Sequence, residues 1–427
     1  MAISRLVFEN YRSFRERQEV GLAPITVVLG KNNSGKSALV RLPLILDTGF
    51  RTDSETPLDL ELLGPDSVDD IRELFFERNT VVPLILGLTA DAPRAFSLTA
   101  ELAYADAERS VKVSRLLFES PESTMDLTSQ RLLDVVSADT PDVDGIAVGG
   151  VSQTSEGYEV RRRGHEPQTT EVTFRGLLPS WPEFVGLGPG PIRYLGPHRE
   201  RVARQHRLPI GTPGALGAHG EGLPRLLVHD RARGDGRLIE LINHRLAGIV
   251  PGWRVDEIPA GPLWSTVLTR SGGVQVNLAD AGSGLAQVLP ILAQCALDDL
   301  DGVSADPPLQ IIEEPEMHLH PAAHAELADL YLATARSTGT RFLIETHSET
   351  LLLRLRRRIA EPDNGYGPEM VAIYVVEQTD GVSEVRRVGL DELGNLTHSW
   401  PQGYFSQDYH EARAIAAAQI DRTGHAS

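Results

Sequence analysis

Apolar residues in this chain fall into short, dense runs separated by long polar stretches. Ile25-Thr26-Val27-Val28-Leu29, Leu309–Ile312 and Arg341–Glu345 are the kind of run that forms strands buried on both faces. Residues 3–14 alternate through Ile3, Leu6 and Phe8, then turn at Asn10-Tyr11-Arg12-Ser13-Phe14. Val81 to Leu88 and Phe96 to Tyr104 read as two strands of a meander. Val371–Val376 and Val382–Val388 are expected to pair as a hairpin across Thr379-Asp380-Gly381. Helices are expected from Ala38-Leu39-Val40-Arg41-Leu42 and over Pro321–Ala335. Residues 51–76 are acidic and mixed. Residues 137–170 are polar and rich in Gly, Ser and Asp, an insertion or mobile hairpin, and residues 184–222 carry many Gly and Pro with little periodicity. No internal repeat and no sustained heptad run occurs, so no long coiled-coil arm is expected.

Strand, loop and helix, then a long middle, then strand, helix and strand: this order predicts an α/β fold whose core is split in sequence. Four segments follow. Residues 1–120 form the N-terminal part of the core, and 121–275 a mixed α/β insertion for partner or substrate contact. Residues 276–400 form the C-terminal part of the core, and 401–427 a tail with a helix over Asp408–Ile420.

At 427 residues the chain is long for one core, and two or three lobes are expected. Its 41% hydrophobic and 23% charged content is ordinary for a soluble protein. No uncharged apolar stretch approaches the roughly 18–20 residues that span a membrane. Arg5, Glu9, Arg12 and Arg15 interrupt the start, so no signal peptide is read there. Cys295 stands alone and excludes an internal disulfide; a cytoplasmic location is expected. A net charge of −18 weighs against a protein coated in nucleic acid. Three arginine clusters could still form a local groove: Arg161-Arg162-Arg163; Arg193, Arg199, Arg201, Arg204 and Arg207; and Arg354, Arg356, Arg357 and Arg358.

Only three of the 41 cations are lysine, and two of those lie in Gly30-Lys31-Asn32-Asn33-Ser34-Gly35-Lys36-Ser37. This is the G-x-x-x-x-G-K-[ST] phosphate loop, set between a strand and a helix. Backbone N–H groups of Gly30, Asn32, Asn33, Ser34 and Gly35 would cradle phosphate oxygens. Lys36 would act as a compact charge on the β- and γ-phosphates, and the Ser37 hydroxyl would hold Mg²⁺.

Three later motifs extend the site. Leu309-Gln310-Ile311-Ile312-Glu313-Glu314 ends an apolar strand in two carboxylates that point opposite ways. Glu313 is expected to support Mg²⁺, and Glu314 to serve as general base. Phe342-Leu343-Ile344-Glu345-Thr346-His347-Ser348 presents His347 to sense the γ-phosphate. Ala281-Gly282-Ser283-Gly284 opens a helix and offers Ser283 and Gly284 as a second anion site. One chain needs no second γ-phosphate site, but each member of a symmetric pair could complete the other's.

These residues resemble the ATP-binding-cassette type ATPases of the SMC/RecF/OLD group, and most closely stand-alone AAA-family relatives of the OLD proteins. The resemblance runs through Leu6–Phe14, Gly30–Ser37, Tyr194–Arg199, Asp280–Gln287, Glu313–Pro321, Glu345–Ser348 and Trp400–Phe405. It implies an ABC-type P-loop NTPase core, ATP and Mg²⁺ as ligands, and a homodimer formed on ATP binding. It implies Lys36 and Ser37 on phosphate and metal, Glu313 and Glu314 as the acidic pair, Ser283 and Gly284 acting on the sister site, and His347 as the switch. Two departures stand out. No glutamine occurs between Ser37 and Gln130, where relatives often carry one that contacts Mg²⁺ and water. Only about 80 residues follow His347, with no acidic cluster resembling a nuclease site. The resemblance implies a dimeric switch ATPase, the sensor subunit of a bacterial anti-phage system with a separate nuclease or toxin effector. The alternatives are a RecF-like ATPase that clamps duplex DNA and a nucleotide-gated scaffold with little turnover.

Overall fold

The computed structural model describes residues 2–128, 152–154, 157–159, 171–172, 174–179 and 186–397, less residues 53, 55, 65–67, 69, 92–94, 122–123 and 363, together with residue 414. Arg161-Arg162-Arg163, the Trp400–Phe405 motif, the rest of the 401–427 tail and most of 137–170 lie outside the described residues.

In chain order the strands are β1 (Ile3–Glu9), β2 (Gln18–Gly21), β3 (Ile25–Gly30), β4 (Leu84–Ala90), β5 (Phe96–Ala105), β6 (Ser110–Glu119) and β7 (Thr124–Thr128). Five short ones follow: β8 (Ser152–Thr154), β9 (Gly157–Glu159), β10 (Glu171–Val172), β11 (Phe174–Arg175) and β12 (Leu178–Pro179). Then come β13 (Ile192–Leu195), β14 (Trp253–Ala260), β15 (Leu263–Arg270), β16 (Val274–Asn277), β17 (Leu309–Glu313), β18 (Arg341–Glu345), β19 (Val371–Thr379) and β20 (Val382–Val388). The helices are α1 (Lys36–Arg51), α2 (Leu223–Arg233), α3 (Arg237–Ile249), α4 (Ser283–Asp301), α5 (Pro321–Thr338) and α6 (Glu349–Ala360).

The apolar runs become the middle of a six-stranded sheet ordered β13-β17-β18-β3-β19-β20, parallel except for β20. Both faces are covered, which is why these strands read as continuous apolar runs rather than alternating ones. Side chains alternate between faces. Val28, Ile311, Leu343 and Ala372 meet α1 and a second, antiparallel sheet ordered β2-β1-β4-β5-β6-β7. Val27, Ile312, Ile344 and Ile373 meet α4, α5 and α6 in the other core. The β19–β20 hairpin turns at Asp380 (φ 52°) and Gly381 (φ 83°), the two left-handed residues that a tight hairpin turn requires. Pro321 at the first turn and Gly339 in left-handed conformation at the end bound α5. No helix among the described residues is long and apolar enough to cross a membrane.

One boundary needs correcting. Residues 121–275 are not wholly an insertion, because β13 is a strand of the central sheet and pairs in parallel with β17 from Ile192↔Leu309 to Leu195↔Ile312. As an edge strand with only Leu195 fully buried, it has no apolar run to announce it.

Candidate active site

The loop from Gly30 to Ser37 closes tightly because glycine stands where nothing larger fits. A Cβ on Gly30 would lie 2.5 Å from Ser34 Oγ and 2.7 Å from the Val376 carbonyl. Asn33 (φ 63°) and Gly35 (φ 102°) are left-handed, the backbone pattern that gathers successive N–H groups into an anion-binding concavity. The first turn of α1 has no side-chain cap and no acidic residue, so its positive dipole end is uncompensated. Ser13 Oγ and Ser34 Oγ are buried beside this loop without hydrogen-bond partners.

Lys36 is 4% exposed and folds back to donate to the Lys31 carbonyl at 2.9 Å, with Glu345 Oε1 3.7 Å away. Burial lowers its pKa, opposed by Glu345 and Glu314. The acidic groups arrive from the carboxyl ends of β17 and β18, where ligands bind in open parallel sheets. Glu313 and Glu345 are register partners, and Glu345 also sits opposite Val28 of β3. Glu314 leaves the strand in a left-handed conformation (φ 45°), fixed by its N–H donating to the Glu345 carbonyl at 2.8 Å. The carboxylates of Glu314 and Glu345 and the His347 ring bring their ligand atoms within 4.8 Å of one another.

His347 is positioned by its backbone N–H, which donates to Glu316 Oε1 at 2.6 Å. Desolvation and the charge of Lys36 lower its pKa against the pull of Glu314 and Glu316, favouring the neutral ring. Ser348 caps α6 by accepting from the Leu351 N–H and is itself held by His324 Nδ1 at 2.9 Å. Burial and the neighbouring Glu313 charge push the Glu345 carboxyl up to about 7, against the pull of Ser37 and Lys36.

Asn32, Asn33, Gly35, Lys36 and Ser37 line one cleft of about 1460 Å³ with Glu314, Glu345 and His347. Gly30 and Ser34 shape the loop beneath it. Two expected residues are elsewhere. Ser283 and Gly284 open α4 and do not line this cleft; Ser283 is exposed, and Gly284 packs where a Cβ would lie 2.5 Å from the His318 carbonyl. Glu313 is buried behind the cleft wall. Its Oε1 and Oε2 accept from Arg41 Nε at 2.6 Å and Nη2 at 2.7 Å, and Tyr194 donates to Oε1 at 3.0 Å. The metal role expected of Glu313 therefore meets a carboxylate already occupied by a guanidinium. The pairing raises the Arg41 pKa, and burial beside Glu313 raises that of Tyr194.

Three contributors went unread in the sequence, Glu345, Arg41 and Gln378, and Arg199 was read only within an arginine cluster and the resemblance. Glu345 carried a signal, since Arg341–Glu345 ends in a glutamate just as Leu309–Glu313 does. Arg199 is buried and donates to the carbonyls of Glu313 at 2.7 Å and Glu314 at 3.2 Å. Gln378 of β19 lines the cleft.

Residues 192–354 match the family described as an AAA domain, putative AbiEii toxin, Type IV TA system. The stretch from β13 into α6 is thus similar to an AAA domain. In the central sheet β3 with its loop and β17–β18 with their acidic ends join across the long middle. Solved structures similar to it include the SMC head domain from Thermotoga maritima, 13% identical, covering 91% of this chain and 100% of that one at a TM-score of 0.44. An SmcHead bound to the C-winged helix domain of ScpA is 14% identical over 92% of this chain and 99% of that one, TM-score 0.49. A Smc head with an extended coiled coil, bound to the C-terminal domain of ScpA derived from Pyrococcus furiosus, is 13% identical over 91% and 96%, TM-score 0.46. No curated protein sequence matches this chain.

Proposed function

We propose that this protein binds and hydrolyses ATP as a nucleotide-gated dimeric switch. The observation that carries the reading is the meeting of the phosphate loop, Glu314 and His347 in one cleft. The unpartnered Ser13 and Ser34 hydroxyls and the left-handed Asn33 and Gly35, which gather the loop N–H groups, suit a phosphate chain with Mg²⁺. When bound, Mg²⁺ neutralises charge on the β- and γ-phosphates. Lys36 and the loop N–H groups orient the phosphates. Glu314 takes the proton of the attacking water. His347, held neutral, donates an N–H without adding charge. Phosphoryl transfer needs little beyond such positioning and charge.

The exposed position of Ser283, outside its own cleft, supports a second copy closing over the nucleotide. The family description, which names a putative AbiEii toxin of a Type IV TA system, supports a place in defence; the narrower reading is the sensor subunit of a bacterial anti-phage system with a separate nuclease or toxin effector. A duplex-DNA clamp gains less support. Arg354 and Arg358 pair with Asp329, Arg357 with Glu361, Arg204 with Asp280, and Arg193 with Asp298, so five of the nine arginines in the two described clusters already face a carboxylate. Titration of a fluorescent ATP analogue into wild type and Lys36→Ala tests the reading. Saturable binding lost in the variant is expected; equal binding by both contradicts it.

A further inference from the structure

Glu313 and Glu345 end neighbouring parallel strands in register, yet their surroundings are opposite. Both oxygens of Glu313 are taken by the Arg41 fork, and Tyr194 adds a third bond. Its side chain is 2% exposed and does not line the cleft. Bidentate guanidinium–carboxylate pairs are among the stronger polar contacts, and drawing Glu313 onto a cation would leave the Arg41 charge without its partner.

Glu345 is as deeply buried, with its side chain 5% exposed, but it borders the cleft. Its Oε2 has no hydrogen-bond partner. Its Oε1 is 3.7 Å from Lys36 Nζ, too long for a hydrogen bond. A buried carboxylate oxygen without a donor is unfavourable, and buried charges are normally paired or bound to metal. Ser37 lines the same cleft, and the ligand atoms of Glu314 and His347 lie within 4.8 Å of that of Glu345.

We infer that Glu345, with the Ser37 hydroxyl, is the carboxylate that holds the nucleotide's divalent cation, while Glu313 anchors Arg41 and Tyr194 in the cleft wall. The inference rests on the ATP reading of the cleft and deepens it. Two hard oxygen donors suit Mg²⁺ or Mn²⁺. Glu314 and His347 then remain for water and phosphate.

The test is equilibrium binding of a fluorescent, non-hydrolysable ATP analogue, in EDTA and in rising Mg²⁺, to wild type, Glu345→Gln and Glu313→Gln. Mg²⁺ is expected to tighten binding to wild type and to Glu313→Gln. In Glu345→Gln that enhancement should shrink by about 10–100-fold or more, the scale seen even for partners one shell beyond a metal. Its metal-free binding should persist, which also reports an intact fold. Glu345→Asp serves where the glutamine variant does not fold: it shifts the carboxylate by one methylene, and an unchanged Mg²⁺ titration in it overturns the assignment. Loss of the Mg²⁺ effect in Glu313→Gln but not in Glu345→Gln overturns it too. So does tight Mn²⁺ or Zn²⁺ binding without nucleotide that all three carboxylate variants retain. Wild type that binds no analogue under any condition defeats the ATP reading itself, and this assignment with it.

Discussion

At the scale of single residues, the fold buries the Glu345 carboxylate beside Glu313 and Lys36. The Glu345 carboxyl is raised from 4.5 to about 7 by burial and by Glu313. A group whose folded pKa lies above its unfolded value stabilises the fold fully at low pH, and that contribution is lost as pH rises through the folded pKa. The metal-free protein should therefore lose stability between about pH 4.5 and 7, and Glu345→Gln should remove this slope. Thermal midpoints of both proteins across that range check the prediction; parallel profiles contradict it. Arg199 acts one step back, holding the carbonyls of Glu313 and Glu314. Arg199→Lys loses the fork, and kcat should fall by up to about 10²-fold through misplacement of Glu314, with ATP affinity little changed. A matching loss of affinity in the same steady-state experiment would instead mark a general structural role.

At the scale of elements, the strand ends and the phosphate loop act as one unit. Gly35 is left-handed, and a Cβ there would lie 2.5 Å from Ser13 Oγ. Gly35→Ala is expected to cost about 1–3 kcal/mol of stability, read from denaturant unfolding, and to weaken nucleotide binding as the loop opens. The same unit explains what was legible beforehand. Strands β3, β17, β18 and the β19–β20 hairpin were readable because both-face burial writes continuous apolar runs, and a tight turn writes Asp-Gly. The phosphate loop was readable because its chemistry is local. The Arg41–Glu313 pair joins residues 272 positions apart, and nothing local marks it. Glu345 was readable as a strand end but not as a neighbour of Lys36, which requires the β18–β3 register. Strand β13 and helix α2 lie in or beside a stretch rich in Gly and Pro, where tertiary packing rather than periodicity decides the structure, whereas α3 carries Leu238, Ile239, Ile242 and Leu246 at helical spacing and was legible but unread.

At the scale of the molecule, the single chain holds only part of what the proposal requires. Ser283 stands exposed at the start of α4, outside the cleft of its own chain. In the dimer reading, Ser283→Arg should block ATP-dependent association of a Glu314→Gln protein while single-chain nucleotide binding persists. Light scattering with and without ATP measures this; an undiminished dimer would remove α4 from the interface. The central claim is narrower still: Glu314 performs the chemistry on ATP held by the Gly30–Ser37 loop. Its most direct test is phosphate release from Mg²⁺·ATP by wild type beside Glu314→Gln. The account predicts steady turnover that falls by about 10²–10⁴-fold in the variant, with nucleotide still bound. Equal rates in the two proteins would contradict it.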